Sequence, residues 1–544
     1  MMLLAGAGAA PGHAQGSDVE TPAEAGLPRY NQCLRRIPFW FHTLGRASLA
    51  SRGDLAALQK LFEDYRKPAK APAKGMQAED HARYTLATLF AQYFDDRVSV
   101  DHLTRFRQEF ATPADAWLWF KVLGVEAHQH GLAPLVEVVR KHPSPYLRAA
   151  ALVALVGHGD LEAAAAVPDI CAALPKQPGE RRLMLGAVSQ VIAAAAPKLK
   201  TPAMQAALRA YIGLLAKDRR LTLGERSLIA RHLGPVFGSS ARHLDPEPWL
   251  HMLETGREPP KTSGGTVTQL RFFGIEAAGD RICYVIDMSN SMCTPVAPRG
   301  PTTGPRKKRR KGPPDETDIP WHLVKNRFDL AREHLKISLL RLTKGQHFCV
   351  IWFGSEAGTL TSCPGLLPAT PGNVRKVIKE LDSIAPLSPE PPDAPDGRLR
   401  GNTNMHGGLR LAFALHSRGP VKRFEHVDPK VFVGGCDSVF LLSDGAPSFD
   451  SFAVEDQFYA NEIKVVADQE SGREISRRER IVYHGPYHES PWFDDDLRRM
   501  NLFRRVPIHC IAIGEADVPL LRRIAAESGG QVYVFEDKTP SRGR

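Results

Sequence analysis

Two hydrophobic periodicities divide this chain. Before about residue 243 apolar residues recur at helical spacing, as in Ser144-Pro-Tyr-Leu-Arg-Ala-Ala-Ala-Leu-Val-Ala-Leu-Val-Gly157, which has a Ser cap, Pro at the first helical position and Gly at its end. Similar segments at Asp54–Phe62, His81–Tyr93, Ala114–Leu123, Leu132–Val139, Arg181–Ala195 and Met204–Leu215, joined by short loops, predict antiparallel helix pairs. After about residue 264 the pattern changes to short, continuous apolar runs of strand length: Arg281–Asp287, His347–Phe353, Ser438–Ser443 and Val506–Gly514. Helical patterns at Phe328–Leu340 and Gly372–Ile384 lie between them. Runs of this kind suit strands buried on both faces, as in the open parallel sheets of α/β folds.

The polar residues at the ends of these runs carry the candidate chemistry. Arg281-Ile-Cys-Tyr-Val-Ile-Asp287-Met-Ser289-Asn-Ser291 ends a buried strand in one carboxylate and two hydroxyls. Gly401-Asn-Thr403-Asn-Met-His-Gly-Gly408 opens a helix, and Ser438-Val-Phe-Leu-Leu-Ser443-Asp444-Gly445 ends a second buried strand. Carboxyl ends of strands in open α/β sheets border the crevice where ligands bind. A donor set made only of oxygen suits a hard cation such as Mg²⁺ better than zinc or copper.

Together these three pieces, in this order, resemble the metal-ion-dependent adhesion site of the von Willebrand factor A domain, over roughly residues 262–540. The resemblance implies an α/β fold with a doubly wound, mostly parallel sheet that has one antiparallel edge strand and is covered by helices on both faces. It implies that Ser289, Ser291 and Thr403 coordinate a divalent metal directly, Mg²⁺ or else Mn²⁺ or Ca²⁺, while Asp287 and Asp444 act mainly through bound water. It implies further that the metal captures a Glu or Asp carboxylate of a partner protein, with Asn290, Asn402 and Asn404 on the rim of the site. Asn290 and Asn402 stand where the family usually or often has Gly, and Asn best replaces Gly at a left-handed backbone position. The helical half resembles degenerate HEAT-type repeats stacked as an α-solenoid, with a plain helical bundle as the alternative. Helices of this type joined to an A domain also occur in the Ro-type RNA-binding ring, so RNA binding is the alternative function.

Binding is expected rather than catalysis. The second Asp that a haloacid-dehalogenase-like phosphotransferase places two residues after its nucleophile is replaced here by Ser289. The chain has no His-Glu-x-x-His, Gly-x-Ser-x-Gly or Walker motif.

The expected boundaries are a signal-like leader at 1–28, a helical domain at 29–243, a linker at 244–263 and the sheet domain at 264–540. Insertions interrupt the last at 294–320, 386–400 and 446–505. The first holds Arg306, Lys307, Lys308, Arg309, Arg310 and Lys311 in a Pro/Gly-rich context, much of the chain's formal net charge of +11. Placed beside the metal mouth, that run would steer an acidic partner. His484, His488 and Glu489 in the last insertion offer ligand-type atoms, although loop histidines are more often packing or surface groups. The 544 residues include no apolar run near twenty, which leaves no internal membrane span expected. Small apolar residues after Met1 favour export, periplasmic or extracellular, with a cytoplasmic location as the alternative. Cys283, Cys349 and Cys510 fall in buried runs and read as packed thiols.

Overall fold

The computed structural model describes residues 100–535, with breaks at 196–199, 217–220, 240–242, 260–269, 277–278, 298–317, 386–397, 422–427, 453, 461–463, 468–473, 478–479 and 484, and also Ala57, Lys60, Leu61 and Glu63. The helices from residue 100 onward and the whole sheet belong to one compact unit of the chain. The helix expected at His81–Tyr93 and the leader lie outside the described residues.

Nine helices are described before the sheet: α1 (Val100–Glu109), α2 (Ala116–His130), α3 (Ala133–Lys141), α4 (Pro145–His158), α5 (Asp160–Ala172), α6 (Pro178–Ala195), α7 (Pro202–Gly213), α8 (Leu223–Phe237) and α9 (Pro246–Thr255). Thr201 and Thr222 cap α7 and α8 through their side chains, and Glu225 completes a capping box on α8. From α2 onward the helices lie in two layers. In one, α2 packs on α4, α4 on α6 and α6 on α8; in the other, α3 packs on α5, α5 on α7 and α7 on α9. The stretch 244–263, read as a linker, contains α9, whose Trp249 is fully buried beside Phe237 and His243.

The sheet contains β1 (Arg281–Asp287), β2 (His347–Phe353), β3 (Ala357–Thr359), β4 (Leu367–Pro368), β5 (Ser438–Ser443), β6 (Ile508–Ile513) and β7 (Val532–Phe535). Their order is β7-β6-β5-β1-β2-β3, with β4 also on β2. Strands β7, β6, β5, β1 and β2 are mutually parallel, whereas β3 and β4 run antiparallel to β2. The fold is therefore mixed α/β, with a helical region and a mostly parallel central sheet. Helices α10 (Arg327–Leu340), α11 (Pro371–Ser383), α12 (Met405–Ala414), α13 (Pro429–Gly434), α14 (Trp492–Asn501) and α15 (Val518–Ser528) complete the region. Burial of β1 and β5 is nearly continuous along both strands, as their uninterrupted apolar sequence requires. Within 446–505 two hairpins form, pairing 454–460 with 480–483 and 464–467 with 474–477.

The helical layers dock at the amino-terminal ends of the strands. Arg182 pairs with Asp437 at 3.0 Å, and the same carboxylate accepts the backbone N–H groups of Asp280 and Arg281. Arg231 donates to the carbonyls of Asp437 and Arg505, and Gln190 to that of Leu502. A Cβ added to Gly186 of α6 would lie 1.8 Å from the Phe503 carbonyl oxygen, so only a residue without a side chain permits this approach. The carboxyl ends of the strands are thereby left to the loops. Among the described residues no helix is long and apolar enough to cross a membrane.

Candidate functional site

Strands β1 and β5 are neighbours although β2 follows β1 in the chain, so the strand order reverses between them. This is a topological switch point, where the loops leaving adjacent strands diverge and open a crevice. Asp287 ends β1, and Ser443 ends β5 immediately before Asp444.

These ends form one hydrogen-bonded chain. Ser443 Oγ donates to Asp287 Oδ2 at 2.7 Å, and the Ser289 N–H donates to Asp287 Oδ1 at 2.9 Å. Ser289 Oγ lies 3.0 Å from Ser291 Oγ, which donates to Asp444 Oδ1 at 2.7 Å. Asp287, Ser289 and Asp444 are almost completely buried. Burial, then the charge of Asp444, pushes the Asp287 carboxyl up to about 7. Thr403 is also buried; its backbone N–H donates to Ser448 Oγ and its carbonyl accepts from the Ser448 N–H. Its hydroxyl would lie 3.5 Å from a Cβ built on Gly445, beside Asp444. The five residues of the sequence motif thus meet at one place.

Sequence reasoning missed Arg327. This first residue of α10 reaches across the site and donates from Nη1 to Asp444 Oδ2 at 2.8 Å, with both side chains buried. Gly514, just beyond β6, makes room for it: at φ +62 it adopts a left-handed conformation, and a Cβ there would lie 2.4 Å from Arg327 Cζ. Nothing local marks Arg327 as a site residue, because its partner is 117 positions away. Ser443 was missed for a different reason. Its position beside Asp444 is visible in the sequence, but its bond to Asp287 depends on the register Ile286↔Leu442.

The expected rim is only partly present. Asn290 and Asn402 are exposed, held through their backbone N–H groups to Gly401 O and Ser355 Oγ respectively. Neither is left-handed; the left-handed positions of this loop are Leu399 and Gly401. Asn404 is not on the rim. It is fully buried, its Oδ1 caps α12 by accepting from the Gly407 N–H, and its Nδ2 donates to Ser355 O and Ser451 Oγ. Arg306–Lys311 and His484 lie outside the described residues. His488 packs back on the Gly485 carbonyl through Nδ1 and lies 3.4 Å from Glu489.

Among the described residues no cluster of three or more His, Cys, Asp or Glu side chains is placed to hold a metal. The donors at Asp287 and Asp444 are instead two carboxylates and three hydroxyls. Such a set fits a hard divalent cation: all donors are oxygen, and a buried carboxylate with a raised pKa beside another carboxylate calls for positive charge.

No family model matches the chain, and no curated protein does. A solved structure described as von Willebrand factor type A from Catenulispora acidiphila is 15% identical with a TM-score of 0.25, covering 48% of this chain and 40% of that one. The PilB minor pilin from Streptococcus sanguinis is 14% identical with a TM-score of 0.24, covering 48% and 58% respectively. The chain thus spans less than two thirds of each. Likenesses this distant carry no argument, and the reading of the site rests on its geometry.

Proposed function

We propose that this protein is a metal-dependent protein-binding module that captures an acidic residue of a partner through a divalent cation, Mg²⁺ or a similar ion, held at the β1/β5 switch point. The observation that carries the reading is the continuous chain Ser443–Asp287–Ser289–Ser291–Asp444, buried except at the half-buried Ser291, at the end of the sheet where a ligand crevice is expected. Ser289, Ser291 and Thr403 would hold the ion through neutral oxygens. Asp287 and Asp444 orient those hydroxyls and balance the ion's charge. When bound, the ion supplies an electrophile able to accept one further oxygen ligand. Asn290 and Asn402, exposed at the rim, are placed to meet the surface around that ligand.

The test is affinity capture from a lysate with the full-length protein, with Mg²⁺ or with chelator, alongside Asp287→Ala. Loss of the same proteins on chelation and on substitution supports the reading. Their retention in both cases overturns it, as does recovery of RNA alone, independent of metal. Phosphate release from a phosphoester that disappears in Asp287→Asn would make the site catalytic instead.

A further inference from the structure

At the opposite end of the sheet, between the helical layers and helices α14 and α15, lies a cavity of about 830 Å³. Its walls are largely apolar, formed by Trp117 and Phe120 of α2, Val153 of α4, Leu497 and Leu502 at α14, and Ile524 of α15. We propose that this cavity binds a small amphiphile with an apolar body and one anionic head group of the carboxylate class, held by Lys121 and Arg505.

The charge balance of the lining selects the anion. Arg498, at the edge, takes both nearby carboxylates: Nη1 donates to Asp495 at 3.1 Å and Nη2 to Glu527 at 2.6 Å. The side chains of Lys121 and Arg505 line the same space without a hydrogen bond or ion pair of their own among the described residues. Lys121 Nζ instead lies over the Trp117 and Phe120 rings, 4.9 and 5.8 Å from their centroids. Burial lowers the pKa of Lys121 and of Arg505, outweighing the opposing charges of Asp495 near the first and Glu527 near the second, which Arg498 already engages. An anionic head group would offset that burial.

Arg505 is also held in an unfavourable backbone conformation. Its φ is +48, its N–H donates to Asn501 O, and its carbonyl accepts from Arg231 Nη2. Left-handed non-glycine residues are strained and persist where the surroundings over-determine them, often at ligand sites. A Gly would satisfy this backbone better; the Arg that stands here instead lines the cavity with its side chain. The size falls within the roughly 300–1,000 Å³ usual for small-molecule sites.

Dodecanoate, below its micellar concentration and with chelator present to silence the β1/β5 site, is titrated into the full-length protein by calorimetry. Saturable one-to-one binding is expected. Arg505→Gly, which relieves the backbone while removing the guanidinium, should weaken it at least about tenfold, as expected for loss of a charge-assisted hydrogen bond, without lowering Tm. Gly124→Phe should abolish binding by filling the space. Gly124 lines the cavity, and a Cβ there meets only His158 Nε2 at 3.6 Å, so a side chain can start there without a backbone clash, and an unchanged Tm of the variant confirms that its fold is kept. Dodecanol and dodecyltrimethylammonium should bind at least tenfold more weakly than dodecanoate. The proposal is overturned if the parent does not bind dodecanoate, if dodecanol binds equally well, or if both variants titrate like the parent.

Discussion

Arg327 Nη1 donates to Asp444 Oδ2 at 2.8 Å, so one guanidinium already serves one of the two carboxylates at the end of the sheet. A fixed cation at this point repels a divalent ion and competes for an oxygen of Asp444. It also compensates that buried carboxylate when no other cation is near. Arg327→Gln should therefore bind Mg²⁺ about tenfold more tightly, the direction expected when a like charge is removed from a partly screened site. The metal-free variant should be less stable by about 3–5 kcal/mol, the usual cost of breaking a buried pair. Calorimetric Mg²⁺ titration and thermal melts read both effects. Weaker Mg²⁺ binding would show that Arg327 positions Asp444 rather than competing for it.

The raised pKa of Asp287 gives the proposed metal site a pH dependence. Its carboxyl titrates near 7 in the folded chain against an ordinary 3.8, so between those values the folded state holds a proton that the unfolded state has lost. This group's contribution to stability is full below the ordinary value, falls as pH rises and is gone above about 7. Metal binding must displace that proton, so Mg²⁺ affinity should drop by about tenfold per pH unit below 7 and level off above it. The increase in Tm on adding Mg²⁺ should be larger at pH 8 than at pH 5.5. A pH-independent increment would separate Asp287 from the metal.

Neutral hydroxyl donors are central to the proposed capture of an acidic partner. Thr403→Ala should weaken Mg²⁺ binding and partner retention without unfolding the protein. Ser289→Asp adds negative charge beside the ion, so metal should be retained while the partner is lost. Titration of metal followed by affinity capture distinguishes the two variants. If Ser289→Asp retains the partner as well as the parent does, the electrophilic role of the ion is wrong.

Asp437 ties the helical layers to the sheet through Arg182 and two backbone N–H groups. Asp437→Ala should cost about 3–5 kcal/mol, because it leaves a buried guanidinium and two donors without their acceptor. Metal affinity should change little, since this carboxylate lies at the other end of the strands. Urea unfolding with and without Mg²⁺ checks both statements.

Much of the sheet was legible because each buried strand is short and apolar and ends at an identifiable polar residue. The same property placed Asp287, Ser289, Ser291 and Asp444 at strand ends, while Thr403 was located by the Gly-rich loop that opens α12. What was not legible depends on distance along the chain. Arg327 reaches Asp444 only once α10 is packed beneath the loop, and Gly514 permits this from a third segment. Asn404 looked like a rim residue because it follows Thr403, yet its side chain turns inward to cap α12. Among the helices, α5 is Ala-rich and carries Pro168 in its interior, so neither periodicity nor capping announced it. The expected linker concealed α9 because Asp245-Pro246 reads as a break, whereas Pro also suits the first turn of a helix. The cavity has no linear signature at all, because its lining comes from five separate stretches of chain.

At Gly186 the helical layers meet the sheet region backbone to backbone, against the Phe503 carbonyl. Such a contact has no compliant side chain to absorb relative motion, and the neighbouring bonds from Gln190 and Arg231 also end on main-chain carbonyls. Residues 100–535 should consequently melt as one cooperative block, in a single calorimetric transition. Dividing the chain near residue 260 would expose the seam on both sides, so neither fragment would inherit the stability of the whole.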